Sequence, residues 1–345
     1  MNWQLKFVEK NLIPDWIIRN RIRALLSQRL QDETKPSQEL QKAHLLQLIH
    51  DLKNSPIAIE TKAANEQHYE VPAEFFKHVM GRFMKYSSCY WNEKTITLSD
   101  AEKLALEITS GRADVRDGMR VLELGCGWGS LTMFLAEKFP SLKITGVSNS
   151  TGQKKYIEEQ CRQRGLRNVE IITADMNVFT IDKKFDRVIS VEMFEHMRNY
   201  EKLLEKIAGF LEPEGKLFVH IFTHKVFTYF FDVKDANDWM SKYFFTGGIM
   251  PSDALLFYFN KHMKVVNHWN WDGTHYEKTA NAWLQNMDKH KREILPILSG
   301  VYGEKQTLKW WVYWRIFFMA CAELWGYNNG KEWFVSHYLF EKNTK

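Results

Sequence analysis

The stretch Val121-Leu122-Glu123-Leu124-Gly125-Cys126-Gly127-Trp128-Gly129 constrains this chain more than any other. A largely apolar, strand-like run ends in three glycines at alternate positions, and a helix-like run follows at once. Glycines at the carboxyl end of a parallel strand let the backbone approach a ligand closely. Dinucleotide folds use G-x-G-x-x-G, whose third glycine would fall here on Ser130. What stands instead is an acid, Glu123, two residues before the first of three alternating glycines. Around the loop, apolar runs at 120–124, 143–147, 169–172, 186–191 and 216–222 alternate with helical patterns at 129–138, 151–164 and 200–211. That alternation predicts an α/β fold with a doubly wound parallel sheet.

The flanking regions read differently. Pro14 and Asp15 mark a helix start, after which Ile17, Ile18, Ile22, Leu25, Leu26 and Leu30 recur near helical spacing. The opposite face carries Arg19, Arg21, Arg23 and Arg29. Such a face suits peripheral contact with an anionic membrane, but more often it is a solvated face of a helix packed on its own domain. A second helix is expected after Ser37, with Leu40, Ala43, Leu46 and Ile49 on one side. Beyond 222 come an aromatic-rich stretch at 226–258, a strand at 265–271 and a mainly helical segment to about 325. The turn signal Asn328-Asn329-Gly330 then introduces a last strand at 333–340. The expected organisation is a helical N-terminal extension, 1–110, covering the site of a catalytic domain, 111–345, with cap insertions at about 223–262 and 272–325.

Composition narrows the function classes. A net charge of +5 over 345 residues is too small and scattered for nucleic-acid binding. Cys89, Cys126, Cys161 and Cys321 lack metal or disulfide spacing, so free thiols, no metal and a cytoplasmic location are expected. Met1–Lys10 has no signal-peptide core, and no apolar run nears the ~18 residues of a membrane span. Homodimerisation is left open. The 13 Trp and 23 Phe suit an aromatic-lined pocket and a large core equally well.

The acidic-x-Gly-x-Gly-x-Gly spacing resembles the S-adenosylmethionine (SAM) loop of class I, Rossmann-like methyltransferases. In that frame Glu123, Gly125 and Gly127 belong to the cofactor site. The second strand ends in Val147-Ser148-Asn149-Ser150, with no acid for the ribose, so Ser148, Asn149 and Gln153 would hold it. After the third strand, Asp175 and Met176 stand where an adenine-amine acceptor and an apolar ring contact are expected; Asp175 as a helix cap is the other reading.

Further landmarks resemble the cyclopropane-fatty-acid synthase-like methyltransferases: His68-Tyr69-Glu70, Tyr86-Ser87-Ser88-Cys89-Tyr90-Trp91, Met193-Phe194-Glu195-His196 and Gly247 to Ser252. Within that family the run 191–200 (VEMFEHMRNY), 265–269 (VVNHW) and 326–333 (GYNNGKEW) look most like the plant alkaloid amine N-methyltransferases, the coclaurine N-methyltransferase-like branch. The resemblance implies SAM contacts from Tyr69, Ser87, Gly125, Gly127, Asn149, Gln153 and Asp175. It implies a reacting centre of Glu192, Glu195 and His196. Tyr243, Phe245, Phe257, Tyr258, Trp269 and Tyr276 would be wall residues, with Glu70 a second substrate anchor.

Two departures bear on the substrate. The lipid-cyclopropanating relatives hold a bicarbonate with a cysteine, glutamate, histidine and tyrosine. Here Ser88 stands at the cysteine position and Ile316 or Phe317 at the tyrosine position, although Glu195 and His220 match. Residue 192, usually small in those enzymes, is Glu192 as in the amine branch. An alkyl amine with a pKa near ~10 is protonated at neutral pH, so it needs a carboxylate to attract it and a base to deprotonate it. Glu192 is expected as the ammonium anchor, on one helical face with His196, and Glu195 with His196 as the proton-accepting pair. The rival readings are a lipid methyltransferase acting on acyl chains and a non-catalytic SAM-binding scaffold.

Overall fold

Each apolar run from residue 120 onward becomes a strand of one sheet in the computed structural model, which describes residues 7–59, 71–232 and 239–343. Its strands are β1 (Arg120–Leu124), β2 (Lys143–Ser148), β3 (Val169–Thr173), β4 (Phe185–Val191) and β5 (Leu211–His224). A short ribbon of β6 (Tyr229–Phe230) and β7 (Ile249–Met250) intervenes before β8 (Met263–Trp271) and β9 (Trp333–Lys342). The seven-stranded order is β3-β2-β1-β4-β5-β9-β8, parallel from β3 to β5 and antiparallel at the β9 and β8 end. β1 is buried at every residue but its first, as a strand covered on both faces must be.

Helices α1 (Asp15–Glu33), α2 (Gln38–Asn54), α3 (Ala73–Val79) and α4 (Leu98–Arg112) precede the sheet. α5 (Ser130–Lys138), α6 (Thr151–Arg164) and α7 (Tyr200–Phe210) make the crossovers. α8 (Trp239–Tyr243), α9 (Gly273–Lys289), α10 (Lys291–Tyr302) and α11 (Thr307–Gly326) build a cap. Local signals set the boundaries. Ser37 Oγ accepts from Leu40 N, Thr97 and Asp100 close a capping box on α4, and Gly165, at φ 68°, ends α6. α4 buries Leu106 in the cluster that holds Val121 of β1 and Leu131 of α5, so it lies directly against the sheet.

Three arginines of the basic face of α1, Arg19, Arg23 and Arg29, pair within the molecule. Arg19 and Arg23 both bond to Glu323 of α11, and Arg315 of α11 returns a pair to Asp15. Ile18, Ile22, Leu26 and Leu30 rest half-buried on the cap's aromatic core. The expected face of α2 was misplaced. Leu45, Leu48, Ile49 and Leu52 pack with Leu203 and Leu204 of α7, whereas Leu40 and Leu46 are 53% and 49% exposed. α2 carries leucines on two adjacent stripes, and only packing chooses between them. The aromatics serve both purposes considered for them: Trp311, Trp314 and Phe318 fill the cap core, and others line the cavity described next.

Candidate active site

Strand order reverses between β1 and β4, which opens a crevice at their carboxyl ends. β4 terminates there on Glu192, a non-glycine residue with φ 47°. This left-handed backbone is unfavourable for a side chain with a Cβ, and such strain is typically held where function needs it. The turn aims the Glu192 carboxylate at the centre of the crevice, where three groups hold it. Ser88 N lies 2.9 Å and His220 Nε2 3.2 Å from Oε1, and the Tyr276 hydroxyl donates to Oε2 at 2.7 Å. Lys85, 3% exposed, stands by, its Nζ donating to Ser87 Oγ at 2.5 Å and to Ser88 O at 2.6 Å. Burial raises the Glu192 pKa, and Lys85, the Ser88 N–H, Tyr276 and His196 draw it back.

Two cavities meet at this carboxylate. One is lined by Ser148, Asn149, Asp175 and Met176, the other by Ser87, Glu123, Trp128, Ser130 and an aromatic chamber; Gly125, Gly127, Gln153, Glu192 and His196 border both. The first has the chemistry a nucleoside needs, and the shared loop has that needed by an amino-acid group. Gln153 Nε2, Trp128 Nε1 and Ser130 Oγ are buried with no partner among the described residues, which leaves three donors for a polar ligand. Ser148 Oγ holds the other end of the Gln153 amide, at 2.6 Å from Oε1. Asp175 borders this cavity, and one of its oxygens accepts from Asn177 N at 2.8 Å in a turn, with no helix there for it to cap. Glu123 is 2% exposed and accepts the Thr132 hydroxyl, so it secures the loop to α5 from beneath while lining the chamber.

The glycines are not equivalent. A Cβ on Gly125 would meet Met193 Cβ at 2.8 Å and one on Gly129 would meet Ile157 at 2.7 Å, whereas one on Gly127 would meet nothing within 4 Å. Gly127 borders both cavities, so the open space over it is where a ligand would lie. Gly127→Ala, at φ 52°, should therefore fold with a small loss of melting temperature. It should bind S-adenosylhomocysteine (SAH) at least about ten-fold more weakly, a change of ~1.4 kcal/mol. Unchanged affinity in a calorimetric titration would remove the ligand from this spot.

Several expected residues lie elsewhere. Of the proposed wall, Phe245 and Tyr276 line the chamber, joined by Phe222, Phe231, Trp283, Phe317 and Trp325, which the sequence did not distinguish. Tyr243 faces the back of the cap against Tyr313. Phe257 is 43% exposed, and Tyr258 pairs with Lys42. Trp269 sits on edge strand β8, two strands beyond β5, with Arg112 5.1 Å above its ring. None of these four lines either cavity. Glu195 is 0% exposed and borders neither cavity; its Oε1 accepts from Phe222 N at 3.0 Å and its Oε2 has no partner among the described residues. Burial, then the nearby Glu192, holds its carboxyl well above the usual range, and it is not brought to the cavity wall beside His196. The reason is the short 3-10 turn Phe194–His196, which sends Glu195 inward and leaves His196 against Phe245, rings 4.7 Å apart, on the cavity. Tyr69 and Glu70 lie outside the described residues.

The model of the mycolic acid cyclopropane synthetase family matches residues 58–329. The chain belongs to that family. Among family members, (S)-coclaurine N-methyltransferase of Thalictrum flavum subsp. glaucum is 41% identical over 98% of this chain and 95% of its own length. Pavine N-methyltransferase of the same plant is 36% identical over 98% of this chain and 96% of its own length. A crystal structure of coclaurine N-methyltransferase bound to N-methylheliamine and SAH superposes with a TM-score of 0.95 at 40% identity, covering 98% of this chain and 99% of that one. This family member is a SAM-dependent N-methyltransferase with the class I Rossmann-like fold.

Buried ionisable groups set how stability responds to pH. His220, His224, His275 and His337 are all driven toward the neutral form by burial, His224 and His275 to about 4. Glu102, Glu123, Glu192 and Glu195 are all raised by burial, Glu102 and Glu123 to about 7. A histidine with a depressed folded pKa costs stability as pH falls below its ordinary 6.5, because the unfolded chain then binds more protons. A glutamate with a raised folded pKa adds stability as pH falls from about 7 toward its ordinary 4.5. The two sets oppose one another, so the unfolding free energy should change little from pH 6.5 to 4.5. It should decline between about 6.5 and 7, where Glu102 and Glu123 still lose folded-state protons and the histidines no longer offset them, and fall below 4.5 where the histidines act alone. Urea titrations across pH 4–8 read this directly.

Proposed function

We propose that this enzyme transfers the SAM methyl group to the nitrogen of a small amine carried on an aromatic, alkaloid-like framework. The observation that supports it most is the Glu192 carboxylate, held by three groups at the junction of the two cavities with an aromatic chamber behind it.

When bound, SAM supplies an electrophilic methyl on a sulfonium. Gln153, Asn149, Ser148, Asp175 and Met176 would hold its nucleoside end, and Ser87, Ser130 and the Gly125–Gly127 backbone its amino-acid end. The chain's own residues do the rest. Glu192 draws the protonated amine in as an ion pair. Phe222, Phe245, Tyr276 and Trp325 enclose the framework and offer ring faces to the cation. His196, on the same cavity wall, takes the ammonium proton and exposes the nitrogen lone pair, and the wall then aligns that lone pair for in-line attack. Glu195, buried and accepting from Phe222 N, ties the turn to β5 and positions His196. The four cysteines are free, and Cys89, Cys126 and Cys161 are buried, as suits a cytoplasmic enzyme. No helix among the described residues is long and apolar enough to cross a membrane.

The lipid reading fares worse on the same geometry. Ser88 N and His220 Nε2, which border the place where lipid-modifying relatives hold bicarbonate, are already spent on Glu192. The deciding assay offers labelled SAM to a panel of secondary and tertiary aromatic amines and, separately, to anionic phospholipid vesicles. Methylated amine and unlabelled lipid are expected; label in lipid with none in amine would overturn the proposal.

A further inference from the structure

A chain of ring nitrogens runs from the Glu192 carboxylate along one face of the sheet toward its β8 edge. His220 of β5 and His337 of β9 are direct cross-strand partners, both 0% exposed. His220 Nε2 lies 3.2 Å from Glu192 Oε1, and His220 Nδ1 lies 2.9 Å from His337 Nε2. His337 Nδ1 in turn lies 2.8 Å from Nη1 of Arg112, the last residue of α4, whose guanidinium rests over Trp269 and Trp271. The four side chains come from four elements.

The end group decides the polarity of the whole chain. A guanidinium has no acceptor, so Arg112 donates and His337 Nδ1 bears a lone pair. A neutral His337 therefore carries its proton on Nε2 and donates it to His220 Nδ1. His220 must then carry its own proton on Nε2, which points at Glu192. We propose that Arg112, acting through His337, fixes the tautomers of both histidines and so keeps a ring N–H aimed at the amine-binding carboxylate. Arg112 and His337 are positioning residues of the reaction, some two strands away from it.

Without the guanidinium the chain can run in reverse. His337 Nδ1–H and His220 Nδ1–H become allowed, and the His220 Nε2 lone pair then faces the carboxylate, which responds by taking up a proton. With the guanidinium in place, the chain also passes no proton outward, because its terminus cannot accept one. The ammonium proton must leave by the His196 side.

Other charges act on the chain and remain constant in the test. Lys85, Tyr276, His196, Glu195 and Cys321 face Glu192; Lys85 also acts on both histidines, His268 on His337, and Tyr90 on Arg112.

This inference rests on Glu192 as the amine anchor, and two readouts separate the claims. In long-range 1H–15N spectra of histidine-labelled full-length protein, the signals missing from His220→Gln and His337→Gln identify the two rings. Both should be neutral and Nε2-protonated at pH 7; an Nδ1-protonated or charged ring at either position overturns the proposal, whatever the substrate. In kinetics at saturating SAM, Arg112→Met should move the acid limb of the kcat/KM profile upward by about one pH unit, since a carboxylate that loses a donor is protonated more readily. Arg112→Lys, which restores a donor that cannot accept, should return the limb. An unmoved limb in Arg112→Met, or no recovery in Arg112→Lys, also overturns it. SAH affinity should hold in all three proteins.

Discussion

Replacing Glu192 by glutamine should lower kcat/KM for the amine by on the order of 10²–10³-fold, while SAH binding stays within about two-fold. Removing one partner of a desolvated ion pair costs about 3–5 kcal/mol, because the other charge is left buried and unpaired. The glutamine keeps the size of the side chain; its oxygen can still accept from Ser88 N and its NH2 can donate to the Tyr276 hydroxyl, so the site should stay assembled. The measurement is steady-state kinetics at saturating SAM beside an SAH titration. A loss of less than about ten-fold would mean that the ammonium is anchored elsewhere.

His196→Ala tests the proton acceptor. Its kcat should fall by about 10²–10⁴-fold at neutral pH, the usual worth of a general base. The loss should shrink as pH rises toward the pKa of the amine, near ~10, because a growing share of the substrate then arrives without the proton. That dependence separates a base from a packing role. His196 also rests on Phe245, and a loosened chamber would lower the rate by the same factor at every pH. A flat ratio of wild type to variant from pH 7 to 9 would refute the assignment.

The sheet was legible because its strands are continuous apolar runs separated by helical periods, and covered parallel strands leave no other pattern. The glycine loop, Glu192 and His196 were legible for a different reason, since consecutive residues carry them. What could not be read depends on register between distant segments. His337 lies 117 residues from His220, and nothing local states that β9 returns antiparallel beside β5 and sets the rings opposite one another. Nothing local in the sequence states that Lys85 is buried with its amine on Ser87 Oγ and Ser88 O. Phe245 and Phe257 are chemically the same, and only the sheet edge sends one to the chamber and the other toward solvent. Glu195 was recognisable as a site residue, but its inward direction comes from a 3-10 turn where an α-helical turn was expected.

The φ of 47° at Glu192 has a cost that can be weighed. Alanine and glycine at this position would remove the carboxylate equally, and both variants should be inactive toward amines. They differ in one respect: alanine keeps the left-handed penalty of about 1–2 kcal/mol, and glycine is nearly free of it. In a chain of this length, Glu192→Gly should therefore melt a few degrees above Glu192→Ala. That gap measures what the fold gives up to seat a charged residue there. It also marks a position where selection for thermal robustness alone, in a laboratory or in a lineage released from its substrate, would discard the activity first.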